Sequence, residues 1–422
     1  MTENIRPDQK ERDKISKELG KNFFVEAGAG SGKTHSMVNR MTGLVREGCA
    51  KIENIAAVTF TRKAAAELRE RFQIMMEGAL HDKGTKEEEK DRIAEALSSL
   101  ERASISTVHS FCARLLRERP VEAGIDPDFE EIEEDINDLL AEEVWAAFIE
   151  RQSIGNNPVI GWMRENGIGQ DMPKGIYKTL VKYPDVKVFT SDVPRPAFGP
   201  VKKEVERFVK AFVKKMPPVP SLDDWDDLQS LIRRSLKLFS LGYLEEDRKF
   251  VGLLRLFSKT IKVTLKRWPN KDGEDRKKEA EEFRDGTVLP ALQLWQEYIH
   301  KPIVEFALEG VLYYQTWRSE RNVLNFQDLL MKSAKLLREF PEVRAYFKGR
   351  ITHLLVDEFQ DTDPIQAEIV MLLSGKDNAE NDWRKVKPKE GSLFLVGDPK
   401  QSIYRFRRAD IDVFNRVKEF FA

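Results

Sequence analysis

Cysteine is nearly absent. Cys49 and Cys112 are the only two in 422 residues. Their separation fits no metal-ligand spacing, and so sparse a use suits a reducing compartment rather than a disulfide framework. Long apolar runs are missing as well. No stretch approaches the roughly 18 residues a membrane helix needs, and the opening MTENIRPDQK has no signal-peptide core. The cytoplasm is the expected compartment. Charge of one sign is also lacking, since 70 Lys and Arg stand against 71 Asp and Glu. Global charge therefore suggests no polyanion partner, and any nucleic-acid contact must come from local patches. No internal repeat is visible. What remains is a globular composition, 41% hydrophobic and 33% charged, long enough for two or three domains.

Five short, near-continuous apolar or β-branched segments read as buried strands: NFFVEA near 22, IAAVTFT near 55, ASISTV near 103, THLLVDE near 352 and SLFLVGD near 392. Strands covered on both faces look like this. Helical patterns follow at 34–46, 63–76, 110–119 and 364–373. The alternation predicts an α/β fold with a parallel sheet and helices on both faces. From 118 to 318 the chain is instead charged and mostly helix-patterned, with prolines between segments. It is expected to be a helical domain inserted into a sheet domain made of 1–117 and 319–422. Two polar stretches, HDKGTKEEEKDR near 81 and GKDNAENDWRKVKPKEGS near 375, read as solvated, mobile loops. A basic stretch with a tryptophan, KVTLKRWPNKDGEDRKK at 262–278, reads as a solvated face or a duplex contact.

The run AGAGSGKT at 27–34 fits the phosphate-loop pattern, with Ala in place of the first Gly. Glycines let several backbone N–H groups face one anion, and the N-terminus of the following helix favours negative charge at the same spot. Ala27, Gly28, Ala29, Gly30, Ser31, Gly32, Lys33, Thr34 and His35 are therefore candidate ATP-binding residues. Lys33 is placed to reach the β- and γ-phosphates, and Thr34 to offer a hydroxyl to Mg²⁺. A metal-side carboxylate is expected at another strand end. ITHLLVDEFQDTD supplies Asp357 for Mg²⁺ and Glu358 to orient and deprotonate the attacking water.

VEAGAGSGKT and VDEFQDTDPIQ together resemble the UvrD/Rep-type superfamily 1 DNA helicases. Other segments agree in that family's order: AVTFTRKAAAELRER (57–71), STVHSFCARLLR (106–117), VLNFQDLL (323–330) and LFLVGDPKQSIYRFRRAD (393–410). The DPKQSIYRFRRAD wording leans toward the RecB and AddA branch. The resemblance covers the sheet domain well and the inserted region hardly at all. It implies a RecA-like fold and a 3′-to-5′ translocase or helicase of DNA repair or recombination, driven by ATP and Mg²⁺. It places Gln9 on the adenine and Gln401 on the γ-phosphate. It also implies contacts to single-stranded DNA from Thr59, Phe60, Thr61, Arg62, His109, Ser110, Phe111, Tyr404, Phe406 and Arg407, with a duplex junction as a further partner of the protein. Arg62 and Phe406 stand where many relatives have Asn and Trp. These residue types suit a sequence-neutral grip, with bases on rings and phosphates on hydroxyls and cations. Phe60 and Phe111 also read as core aromatics, and His109 as a satisfied histidine.

The family continues into a second sheet domain, which supplies arginines facing the γ-phosphate. The chain is expected to be the amino-terminal half of such a motor, weakly active or inactive alone. The alternative is a non-motor, nucleotide-gated module that grips DNA or a partner. A phosphate-loop kinase or GTPase is disfavoured by DEFQD and QSIYRFRRAD.

Overall fold

The computed structural model describes residues 8–28, 30–219, 224–269, 272–402 and 411–421. In chain order the first segment carries α1 (Gln9–Lys17), β1 (Phe23–Glu26), α2 (Lys33–Arg46), β2 (Ile55–Thr59), α3 (Arg62–His81), α4 (Glu87–Ser98), β3 (Ser104–Thr107), α5 (Val108–Glu118), α6 (Pro120–Ala123) and β4 (Glu130–Ile132). The helical stretch follows as α7 (Glu134–Ile154), α8 (Pro158–Glu165), α9 (Asp171–Lys182), α10 (Gly199–Lys215), α11 (Asp227–Ser240), α12 (Asp247–Phe257), α13 (Gly273–Phe283) and α14 (Leu289–Glu320). The chain then returns through β5 (Val323–Asn325), α15 (Phe326–Glu339), α16 (Pro341–Arg350), β6 (His353–Val356), α17 (Pro364–Ser374), β7 (Leu393–Gly397) and α18 (Ile411–Glu419). Two compact units result, 1–134 with 319–422 and 135–318.

The sheet unit is built on five parallel strands in the order β1-β7-β6-β2-β3. All five apolar segments expected to be strands are here. Successive side chains point to opposite faces, and the two faces have separate cores. Ala56, Val58, Leu354, Val356, Leu393 and Leu395 face one way, toward Phe111, Leu329, Leu337, Phe347 and Met371 of the helices on that side. Ile55, Ala57, Ile105, Leu355, Phe394 and Val396 face the other, toward Met37, Met41, Leu68, Phe72 and Ile93. Strands apolar on both faces therefore pair in parallel between two helical layers.

The polar loops are corrected by the structure. Most of the stretch near 81 lies in α3 and α4, and Thr85 and Glu89 within it are buried, with Arg46 Nε 2.6 Å from Glu89 Oε2. The stretch near 375 is packed: Trp383 and Val386 are in the core, and fully buried Arg344 donates to Asn381 Oδ1 at 2.6 Å. Residues 118–134, expected with the insertion, pack on the sheet unit instead. Phe129 joins its core, and β4 pairs with β5 where the chain leaves and returns.

The helical unit has its own core, rich in rings: Trp145, Phe148, Tyr177, Phe250, Trp295, Phe306 and Tyr314. Buried hydroxyls find partners, Tyr177 on the Ala141 carbonyl at 2.9 Å and Tyr314 on Asn137 Oδ1 at 2.9 Å. Trp268, the ring in the basic stretch, is buried and donates Nε1 to Asp226 Oδ2 at 2.8 Å. It is a core anchor, and the exposed residues of the stretch around it are its polar surface. No helix among the described residues is long and apolar enough to cross a membrane.

Candidate active site

Parallel pairing brings all five carboxy-terminal strand ends to one edge of the sheet. In open parallel sheets, ligands bind in the crevice outside those ends. β7 lies between β1 and β6, so the loops after β1 and β6 flank the residues after β7.

The loop after β1 carries the glycine run. Ala27 N–H donates to the Gly397 carbonyl at 3.1 Å, extending the β1–β7 pairing. Gly30 and Gly32 then take φ of 69° and 86°, which side chains rarely adopt. Ser31 Oγ donates to the Gly28 carbonyl at 2.6 Å and tightens the turn. Gly32 caps α2, whose first residues are Lys33, Thr34 and His35. The free N–H groups of that first turn point back toward the loop. Ala29 lies outside the described residues. Gln9 opens α1, where its Nε2 donates to Asp13 Oδ1 at 2.8 Å. From α1, Arg12 also donates to the Ser31 carbonyl and pairs with Asp8 at 2.7 Å.

The end of β6 supplies the carboxylates. Asp357 is 8% exposed, and its Oδ1 accepts from Glu358 N–H at 3.0 Å. Burial pushes the Asp357 carboxyl up to about 6; the charge of Glu358 adds to that rise, and Lys33 and Arg71 oppose it. Asp361 is likewise pushed up to about 6, by burial first and Glu358 second. Glu358 takes left-handed angles, φ 52° and ψ 42°. That conformation costs a non-glycine residue about 1–3 kcal/mol and persists only where its surroundings hold it. Here they do: Lys33 Nζ lies 2.9 Å from Glu358 Oε2, and Gln360 Nε2 donates to the same oxygen at 2.8 Å. After β7, Asp398 Oδ2 accepts from Gln401 Nε2 at 2.7 Å. A Cβ on Gly28 would sit 3.9 Å from that same Oδ2, so the glycine loop faces Asp398.

The structure thus brings Lys33, Glu358, Asp357 and Gln401 to one edge, with the glycine loop. Sequence reasoning missed Arg12, Gln360, Asp361 and Asp398. Gln360, Asp361 and Asp398 lay inside motifs quoted whole and Arg12 three residues after Gln9, but nothing in the spacing said which polar side chains turn into the site.

A hydroxyl from Thr34 and a carboxylate from Asp357 are hard oxygen donors of the kind Mg²⁺ prefers. No ion pair neutralises buried Asp357 among the described residues, and Asp361 Oδ1 is buried with no hydrogen-bond partner. No group of three or more His, Cys, Asp or Glu forms a metal cage among the described residues. The site therefore fits an ion that takes most of its ligands from phosphate oxygens and water.

The nucleic-acid candidates follow β2 and β3, neighbours in register at Thr59↔Thr107. Thr61 is exposed and caps α3, accepting from Ala64 N–H at 3.1 Å. Arg62 is exposed, 3.2 Å from Glu133. Phe60 is half-buried. His109 stacks on Phe326, ring centroids 4.6 Å apart, and burial pushes its pKa down to about 4, so the imidazole is neutral at pH 7. Ser110 is exposed beside it. Two expectations are corrected. Thr59 is 1% exposed, with its hydroxyl donating to the Thr61 carbonyl, and Phe111 is 2% exposed in the core. Both lie on faces turned toward packed helices, so neither side chain reaches a groove. Tyr404, Phe406 and Arg407 lie outside the described residues.

The model of the UvrD/REP helicase N-terminal domain matches residues 8–422. Similar curated proteins are named as ATP-dependent helicase/nuclease subunits. The one from Listeria innocua serovar 6a is 27% identical over 460 aligned positions, covering 94% of this chain and 35% of the relative. That from Bacillus velezensis is 28% identical over 473 positions, 95% of this chain and 36% of the relative. That from Anoxybacillus flavithermus is 29% identical over 458 positions, with 94% and 36% covered. The chain spans about a third of the length of these relatives.

Proposed function

The chain belongs to the UvrD/REP helicase N-terminal domain family, and from that premise we propose that it is the ATP-binding and single-stranded-DNA-binding part of a cytoplasmic 3′-to-5′ helicase or translocase of DNA repair or recombination. The observation that carries this reading is the Lys33–Glu358 ion pair, 2.9 Å long. It joins the glycine loop after β1 to the acidic end of β6, across the end of β7.

In this reading the glycine-loop N–H groups and the α2 N-terminus hold the phosphates. Lys33 leaves Glu358 for the β- and γ-phosphate oxygens. Glu358, freed of that cation, orients a water and takes its proton as the water oxygen bonds to the γ-phosphorus and the bridge to ADP breaks. Mg²⁺, when bound by Thr34 and Asp357, neutralises charge on the phosphate oxygens. Gln9 lies on the adenine side, and Gln401 is placed to read the γ-phosphate. Phe60, Thr61, Arg62, His109 and Ser110 form the strand-binding edge, where base stacking is worth about 1–3 kcal/mol per base. A second sheet domain is expected to complete the site with arginines, worth about 10³–10⁵ in rate for phosphoryl transfer.

The test is ATP binding and hydrolysis with and without oligo(dT), beside Lys33→Ala and Glu358→Gln. Lys33→Ala is expected to weaken ATP binding at least about tenfold, one charge-assisted contact being worth about 1.5–3 kcal/mol. Glu358→Gln is expected to bind ATP but to lower any turnover about 10²–10⁴-fold. Lys33-dependent binding without turnover supports a site completed elsewhere. ATP binding indifferent to Lys33 sinks the reading.

A further inference from the structure

Gln360 stands between the two arms of the site. It is 2% exposed. Its Nε2 donates to Glu358 Oε2 at 2.8 Å and to Asp361 Oδ2 at 3.3 Å. Its Oε1 accepts from the backbone N–H of Asp398 at 2.8 Å. Its backbone carbonyl accepts from Ser402 Oγ at 3.2 Å, and Asp398 holds Gln401 at 2.7 Å. One side chain therefore ties the Glu358 carboxylate to the segment that follows β7. A carboxamide is a rigid plane with donors at one end and an acceptor at the other, so neither end shifts without the other. There is little slack around it: a Cβ on Gly397 would come within 2.8 Å of Gln360 Oε1. Gln360 and Lys33 also converge on one oxygen of Glu358. Once Lys33 turns to phosphate, Gln360 is the remaining side-chain donor to that oxygen among the described residues.

Resting on the nucleotide reading above, we infer that Gln360 is a positioning residue that couples the segment 398–402 to Glu358. A shift of that segment moves the amide plane, and the amide turns the carboxylate toward or away from the attacking water. The coupling runs both ways: whatever nucleic acid does to the segment reaches the nucleotide side, and nucleotide binding reaches the segment.

The experiment measures the affinity of this chain for a fluorescent ATP analogue with Mg²⁺, with and without oligo(dT), and takes the ratio. The unsubstituted chain is expected to show a ratio of about fivefold or more. Gln360→Leu is expected to bring the ratio close to one, whatever it does to the DNA-free affinity, which the ratio divides out. Gln360→Glu keeps an acceptor for Asp398 N–H but repels Glu358, and is also expected to lose the ratio. It carries the test if the leucine variant does not fold. Ser402→Ala, which leaves the Gln360 side chain in place, is expected to reduce the ratio. A merely structural Gln360 would lower thermal midpoint and ATP affinity together and leave the ratio intact, which overturns the inference. A ratio of one in the unsubstituted chain, with Lys33-dependent binding intact, overturns it alone. Binding indifferent to Lys33→Ala removes the nucleotide reading and the inference with it.

Discussion

At the scale of single residues, the end of β6 buries two carboxyl groups at the expense of the fold. Asp357 and Asp361 are both raised from 3.8 to about 6, chiefly by burial. Between about pH 4 and 6 the folded protein binds more protons than the unfolded chain, so stability falls as pH rises through that window. The penalty is complete above about pH 6. Asp357→Asn removes its share. It is expected to raise stability at pH 8 by about 1–3 kcal/mol and to lose that advantage toward pH 4, while Mg²⁺-dependent turnover falls. Thermal melts at pH 4.5, 6 and 8 check this; equal melting of both proteins at pH 8 would refute it. That Lys33 and Glu358 belong together was legible in the sequence, because the phosphate-loop pattern sets one beside a strand end and the acidic motif sets the other at another strand end, and the structure pairs them at 2.9 Å. Thr59 and Phe111 were misjudged because motif membership does not say whether a side chain is covered, and β2 is covered on both faces, so either register buries Thr59. Gln360 was illegible because an amide's role depends on which two partners it reaches.

At the scale of elements, one cation on α2 ties down the end of α1, beside the packing of Ile15 and Leu19 on Met37 and Met41. Arg40 is 1% exposed and donates to the carbonyls of Ile15, Leu19 and Lys21 at 2.9, 3.1 and 2.6 Å, at the carboxy-terminal end of α1 and just beyond. Its guanidinium also lies 5.0 Å from the Phe23 ring and 5.4 Å from the Phe394 ring. Burial lowers its pKa to about 10, so it stays charged at neutral pH. Arg40→Leu strands those carbonyls and is expected to cost about 3 kcal/mol. Because α1 carries Gln9 and Arg12, ATP affinity should fall as well. Arg12→Ala should weaken ATP binding with little change in the urea midpoint, and the two variants measured side by side separate clamp from contact. The strands were legible because both faces of each are buried, leaving unbroken apolar runs. The polar stretches near 81 and 375 were not. Their anchors are a few groups in otherwise polar runs, Glu89 on Arg46 in the first and Trp383, Val386 and the Arg344 partner Asn381 in the second, and composition averages such groups away.

At the scale of the whole molecule, the helical unit is inserted through a narrow neck. The chain leaves the sheet unit after β4 and returns at β5, and these pair in parallel, Glu130↔Val323 and Ile132↔Asn325. From Ile132 to Val323 the diagonal of such a pair is about 8 Å. Three or four residues of linker span that distance. The neck is fixed within the sheet unit, since Glu130 N–H donates to the Asn322 carbonyl at 2.8 Å and Asn322 Nδ2 to Asp126 Oδ2 at 3.1 Å. Each unit also has its own core. Replacing 135–318 by a short Gly-Ser linker should therefore leave a folded sheet unit that binds ATP through Lys33, with an affinity within about threefold of the whole chain, as expected of a domain with its own core. The excised 135–318 should be helical by circular dichroism and melt cooperatively. If instead the deletion protein unfolds while Ile132-to-Val323 closure is sterically satisfied, the sheet unit depends on the insertion for stability. The prediction that the sheet unit folds without the insertion would then fail.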